Sequence, residues 1–302
     1  MKTFKIKTIP GGICAARGFK ANGIHCGIRK NKSKSDLALI VSEIPANAAA
    51  VYTKNAVKGA PLTVTKRHLS NGRAQAIICN SGNANTCNAN GIEIAEEMSL
   101  LVEKHTGISA QDVIVASTGV IGQPLSIDPI ANGMKPLAAD LGRYSERAAA
   151  AIMTTDTKIK ELSCRFTIKG KECRIGGIAK GSGMIHPNMA TMLVFITTDC
   201  SISPAMLQKA LSSDVKDSFN MISIDGDTST NDMVAIMANG LADNPEINSE
   251  GEDFDSFCAA LFEITSKLCR MIAADGEGAT KLLECIVSGA DDEKTAKTVA
   301  KS

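Results

Sequence analysis

The chain has 302 residues and a mass of 31.6 kDa; 44% of the residues are hydrophobic, and 33 Lys plus Arg against 32 Asp plus Glu leave a formal net charge of +1. That apolar share fills a sizeable core and excludes a disordered chain. The near-zero charge, with 3% aromatic residues and no Trp, excludes a nucleic-acid binder, which needs a basic surplus and stacking platforms.

No apolar run approaches the roughly 18 to 20 residues that span a bilayer. Met1 to Pro10 alternates Lys with single apolar residues and lacks the apolar stretch of a secretory signal. A soluble, cytoplasmic protein without a membrane partner is expected. Short apolar runs alternating with longer helical patterns predict an α/β protein. The predicted strands are Leu37 to Val41, Ala74 to Cys79, Val113 to Ala116, Arg165 to Ile168, Cys173 to Ile178, Met192 to Thr197, Met221 to Ile224 and Cys285 to Ser288.

Two helices stand out. Ile92 to Thr106 places Ile94, Met98, Leu101 and Val102 at three-to-four spacing, with Gly107 as a stop. Asp253 to Ala274 carries an apolar stripe from Phe254 to Ile272 behind an acidic start. Asp243 to Asp253 reads as a surface loop, and Asp291 to Ser302 as a helix start without a stop signal. No internal repeat or composition shift marks a domain boundary.

The ten Cys are scattered, no C-x-x-C pair occurs, and the four His stand alone. Zinc-ligand spacing is absent, so neither a metal nor a cofactor is expected and the cysteines are read as reduced, mostly buried small hydrophobes. The densest anomaly is Ala179 to Asp199. Gly181 and Gly183 permit unusual backbone angles, Pro187 fixes another, and a strand begins directly after Ala190 and Thr191. A loop of this kind can strain one peptide bond beside a strand, where a hydroxyl can attack the preceding carbonyl.

The segment Lys180 to Asp199 resembles the cleavage-site signature of the ornithine acetyltransferase family, the bifunctional glutamate N-acetyltransferases of arginine biosynthesis. Six further stretches agree in order and spacing: Pro10 to Gly12, Asn80 to Asn85, Ala116 to Gly122, Ala151 to Thr157, Asp225 to Asp232 and Asp275 to Lys281. The resemblance implies the fold of this family and of related aminopeptidases, with layered sheets and flanking helices. It also implies self-cleavage between Ala190 and Thr191, giving an α chain of residues 1 to 190 and a β chain of residues 191 to 302 that fold together, pairing further into a heterotetramer of two α and two β chains.

The family's oxyanion-hole positions fall on Thr118 and Gly119, and its substrate contacts on Thr154, Lys180, Thr191 and Glu277. Thr155 is an alternative to Thr154, and assistance to cleavage is an alternative role for Lys180. The implied reaction moves an acetyl group from N-acetylornithine to Thr191 and then to glutamate; some members also accept acetyl-CoA. Members of the family extend beyond the length of this chain through a segment that closes the substrate pocket. A truncated, catalytically impaired fragment or half of a split enzyme is therefore the competing expectation.

Other readings are weaker. A strand Met221 to Ile224 ending in D-x-D would suit an aspartyl-phosphate phosphotransferase using Asp225 and Asp227 with magnesium, but nothing downstream requires the metal. An EF-hand fails because Thr230 and Ile236 stand where Gly and Glu are needed. Asp227 and Asp232 are then expected to be structural, bonding backbone or hydroxyl groups. His186, alone beside Pro187, is expected to be a surface or packing residue. Gly181-Ser182-Gly183 lacks the last Gly of a dinucleotide loop.

Overall fold

The computed structural model describes residues 4–185 and 192–301. The described strands are β1 (Lys7–Thr8), β2 (Phe19–Ile24), β3 (Leu37–Tyr52), β4 (Arg73–Asn83), β5 (Val113–Val120), β6 (Lys160–Ile168), β7 (Lys171–Lys180), β8 (Leu193–Thr198) and β9 (Met233–Ala238). The helices are α1 (Ala60–His68), α2 (Gly91–Thr106), α3 (Asp128–Ala139), α4 (Ser145–Ile152), α5 (Pro204–Asp217), α6 (Glu252–Ala274) and α7 (Glu293–Lys301). The strands form one sheet in the order β1-β6-β7-β8-β9-β3-β4-β5, with β2 also paired to β3. The β4/β5 and β8/β9 pairs are parallel and the rest antiparallel. The α/β class expected from the sequence is the class observed.

The period-two alternation of strand side chains explains the layering. In β8, Val194 and Ile196 join a core with Leu207 and Leu211 of α5 and Leu261, Ile264 and Leu268 of α6. The alternate residues Leu193 and Phe195 join a second core that also takes Ile77 and Cys79 of β4 and Ile114 and Ala116 of β5. The other face of β4 and β5, with Ile78, Val113 and Val115, packs on Met98 and Val102 of α2 and Met134 and Leu137 of α3. One continuous sheet thus folds into two layers around a shared core, with helices on both outer faces. The turn is made in β3, whose pairing with β4 shifts register between Val41 and Ala46; such irregularities bend a strand.

Both predicted helices form, α2 ending at Gly107 in the left-handed region with φ of 77°, where a residue without Cβ carries no steric penalty. Glu252, Asp253 and Asp255 occupy the first turn of α6, where carboxylates complement the helix dipole. Two predicted strands are not strands. Phe219–Met221 is a 3-10 turn followed by bends, and Cys285 to Ser288 is irregular, with Ile286 81% exposed. An apolar run makes a strand only where a sheet edge offers backbone partners, and among the described residues no strand is paired to either segment. β9 is not among the predicted strands because only Val234 and Ile236 of its six residues are β-branched, whereas β8, equally buried on both faces, has four such residues. All ten cysteines are free thiols.

Candidate active site

The parallel strands β4 and β5 end side by side, with Gly82 in register with Gly119. The sequence reading stops the strand at Ala116, whereas β5 continues to Val120. Thr118 and Gly119 are therefore held within the ladder. Gly119 has φ of +133°, and a Cβ there would lie 2.3 Å from the Gly82 carbonyl carbon; no other residue fits this close approach. Thr118 is buried, and its Oγ1 lies 3.3 Å from Lys180 Nζ. The ammonium donates, so the Thr118 hydroxyl hydrogen is free for another acceptor.

Lys180 closes β7 and is 1% exposed. Burial pulls its pKa below the usual lysine value, against the attraction of Asp156 and Asp232. The surrounding backbone is held by a buried ion network that the sequence did not reveal. Lys160 Nζ lies 2.7 Å from Asp156 Oδ1 and 2.6 Å from Asp275 Oδ2. Asp156 also accepts the Thr154 N–H at 3.0 Å and the Gly181 N–H at 2.7 Å. Asp275 accepts the Thr157 N–H at 3.0 Å, and its own carbonyl accepts the Ser182 hydroxyl at 2.8 Å. Glu277 N–H then donates to Ser182 O at 2.7 Å. Burial alone would raise both carboxyls; the charges of Lys180 and Lys160 outweigh it at Asp156, and hydrogen bonds from Lys160 and Thr157 outweigh it at Asp275, so both lie below the ordinary carboxylate range.

The network brings three loops to one place. Thr154, after α4, and Glu277, after α6, line a cleft of about 540 Å³ together with Thr118, Gly119 and Lys180. Five residues singled out in the sequence therefore share one cavity, and Thr155 lines it too. Ala190, Thr191 and His186 lie outside the described residues. Arg29, Asp225 and Asp227 also line the cleft and were not assigned to it by sequence. Among the described residues no cluster of metal-ligating side chains is found.

The acidic segment Asp225 to Asp232 frames this region. Asp225 accepts the Ile185 N–H at 2.8 Å and also the Met184 N–H. The carboxylate that a phosphotransferase would need as a nucleophile is tied to backbone amides, and no strand leads into it. At the other end, Asp232 Oδ1 accepts the Met192 N–H at 2.8 Å, while Oδ2 has no hydrogen-bond partner among the described residues. Burial pushes Asp232 up to about 7, against the pull of the Met192 amide and Lys180. Between them, Asn231 Nδ2 donates to Ser117 O at 2.9 Å, fixing the segment to the end of β5. The expectation of a backbone-bonding role holds for Asp232; Asp227 instead faces the cleft.

The sequence profile of the ArgJ family matches residues 20–302. The chain belongs to the ArgJ family. An arginine biosynthesis bifunctional protein ArgJ from Caldanaerobacter subterraneus subsp. tengcongensis is 47% identical over 299 residues, covering 98% of this chain and 74% of that protein. The crystal structure of the Bacillus halodurans member is 42% identical, with a TM-score of 0.59, covering 63% of this chain and 100% of the solved one. Ornithine acetyltransferase from Mycobacterium tuberculosis, solved with ornithine, is 34% identical with a TM-score of 0.53, covering 61% of this chain and 98% of that chain. A Burkholderia β-aminopeptidase shares the fold at 13% identity, with a TM-score of 0.50 over 90% of each chain. The family and the related aminopeptidase fold are those the sequence motifs implied.

Proposed function

We propose that this chain is an acetyltransferase of arginine biosynthesis that moves an acetyl group from N-acetylornithine to glutamate through an acetyl-Thr191 intermediate. The observation that carries the reading is the common cleft: Thr118, Gly119, Thr154, Lys180 and Glu277 line one cavity, although they lie on four separate stretches of sequence. The ArgJ membership and the ornithine-bound relative support the substrate class.

Attack of the Thr191 hydroxyl on the Ala190 carbonyl moves the acyl group from nitrogen to oxygen, breaking the peptide C–N bond and freeing the Thr191 α-amine; water then hydrolyses the ester, releasing residues 1–190 and restoring the hydroxyl. The solved Bacillus halodurans chain is matched whole by 63% of this one, the share that residues 1–190 make up. An α-amine titrates near 7.7 to 8.0, so at neutral pH it serves as a base beside its own hydroxyl. It takes the hydroxyl proton as Oγ attacks the acetyl carbonyl, and returns that proton to the departing ornithine amine. Glutamate's amine then attacks the acetyl ester, the α-amine accepts the proton lost by the attacking nitrogen, and Oγ leaves with it.

Both tetrahedral intermediates carry an oxyanion. The Gly119 N–H and the Thr118 hydroxyl are its donors, and the Lys180 ammonium strengthens Thr118 as a donor by bonding its oxygen. Glu277, Asp225 and Asp227 supply the negative charge that suits the ornithine ammonium. Acetyl-CoA is a candidate second donor, no resident cofactor is invoked, and the two cleavage products remain partners, assembling as two α and two β chains.

Intact-mass measurement tests the first step. The chain is expected to give a fragment beginning at Thr191, and Thr191→Ala to stay whole. An uncut wild-type chain of 31.6 kDa counts against the reading. Initial rates with N-acetylornithine and glutamate should give parallel double-reciprocal lines; intersecting lines exclude the covalent intermediate.

A further inference from the structure

Arg29 stands in the cleft as a half-buried cation without an ionic partner among the described residues. It lies on the loop between β2 and β3, and the loop is built to present it. The fully buried carboxylate of Asp36 accepts the N–H groups of Cys26 at 2.6 Å, Gly27 at 3.3 Å and Arg29 itself at 2.9 Å. The side chain then crosses Gly82, where a Cβ would come within 2.8 Å of Arg29 Cγ. The guanidinium donates to the Met153 carbonyl, beside Thr154, and its buried Nε has no hydrogen-bond partner among the described residues. Burial opposes its charge, and Asp36 and Asp156 offset this only through longer-range attraction. An arginine keeps its charge nonetheless, and a desolvated, unpaired guanidinium favours a carboxylate that can take its planar fork.

On the reading given under Proposed function, the donor N-acetylornithine and the acceptor glutamate share one feature besides the reacting nitrogen, the α-carboxylate. It sits two bonds from that nitrogen, so its receptor must lie beside the oxyanion donors. Arg29 packs on Gly82, whose strand partner is Gly119. Lys180, also a cation lining the cleft, gives one of its three donors to Thr118 Oγ1, whereas Arg29 presents a planar fork with Nε unbonded among the described residues, and Asp225, Asp227 and Glu277 offer only negative charge.

We propose that Arg29 is the specificity-determining receptor for the substrate α-carboxylate, held in place by the Asp36 loop and the gap over Gly82. The assignment makes one arginine serve both halves of the exchange, and it leaves the acidic residues of the cleft for the ammonium end.

Calorimetric titration of the whole chain with N-acetyl-L-ornithine and with N-acetylputrescine, which lacks only the α-carboxylate, tests this without requiring turnover. The wild-type chain should bind N-acetylornithine about 10 to 100 times more tightly, the usual worth of a charge-assisted hydrogen bond. Arg29→Gln should bind the two alike, at the N-acetylputrescine level, with an unchanged melting temperature, and Arg29→Lys should recover part of the preference. The proposal is overturned if wild type does not discriminate between the two ligands, if Arg29→Gln keeps the preference, or if Arg29→Gln weakens both equally. Failure of the acetyltransferase reading would instead appear as an uncut chain in the mass measurement, independently of these titrations.

Discussion

Lys160 and Asp275, 115 residues apart in sequence, meet at 2.6 Å in a site where neither is more than about a twentieth exposed. With Asp156 they form a buried cluster of one cation and two carboxylates. The Asp156 carboxylate bonds directly to the N–H groups of Thr154 and of Gly181, beside Lys180, and the main-chain carbonyl of Asp275 reaches Glu277 through Ser182. The cluster fixes the cleft without lining it.

Removing Lys160 leaves two buried carboxylates unpaired, a change that costs about 3 to 5 kcal/mol. Lys160→Met is therefore expected to lower the urea midpoint by a corresponding amount and to slow both cleavage and acetyl transfer. Lys160→Arg, which keeps the charge, should retain most of the stability. Urea unfolding of the three chains checks this, and a Lys160→Met chain as stable as wild type would refute the supporting role.

Thr118→Val keeps the side-chain shape while deleting the hydroxyl donor. Loss of one oxyanion donor lowers kcat by about 100- to 1,000-fold, so acetyl exchange should fall by that factor with KM little changed. Gly119→Ala is a steric counterpart. Its methyl would sit 2.3 Å from the Gly82 carbonyl carbon, and the end of β5 must shift, so both activity and melting temperature should drop. A Thr118→Val enzyme within a few-fold of wild type would remove Thr118 from the oxyanion site.

Asp232 gives a pH signature. Its carboxyl is pushed up to about 7 by burial, above the unfolded value of about 3.9, so the native state binds the proton more tightly. Its contribution is most favourable below pH 4, declines as the pH rises to about 7, and is constant beyond. Asp232→Asn cannot ionise and retains an acceptor for the Met192 N–H. Its stability relative to wild type should rise between pH 5 and pH 8, on the order of 4 kcal/mol across the full titration. Asp214, raised to about 6 by burial, titrates in both chains and cancels in the comparison. A difference in urea midpoints that does not change with pH would contradict the assignment.

What could be read from sequence divides along a physical line. Contiguous motifs delivered Thr118 and Gly119, and the α2 and α6 stripes were legible because each buries one face against a sheet. β9 was illegible because its Met- and Ala-rich run carries only two β-branched residues, and Met221 to Ile224 misled because apolar content does not supply a ladder partner. Within the site, Arg29 gave no local signal: its role depends on Gly82 leaving room for its stem. Lys160 and Asp275 were equally silent, since a pairing across 115 residues leaves no spacing rule. Asp225 and Asp232 were visible as an acidic segment, but their amide partners, Ile185 and Met192, emerge only from the fold.

β8 follows the proposed cut, yet it lies between β7, which precedes it, and β9, with residues 193–198 paired on both sides. Breaking the bond before Thr191 would leave these ladders intact, so the product is a nicked protein that migrates as one species until denatured. Its thermodynamics change all the same. Unfolding then releases two polypeptides instead of one, and the transition midpoint acquires a dependence on protein concentration that the uncut precursor lacks. Refolding would become a second-order encounter, so the proposed cleavage would trade the reversibility of a single chain for a new amino terminus.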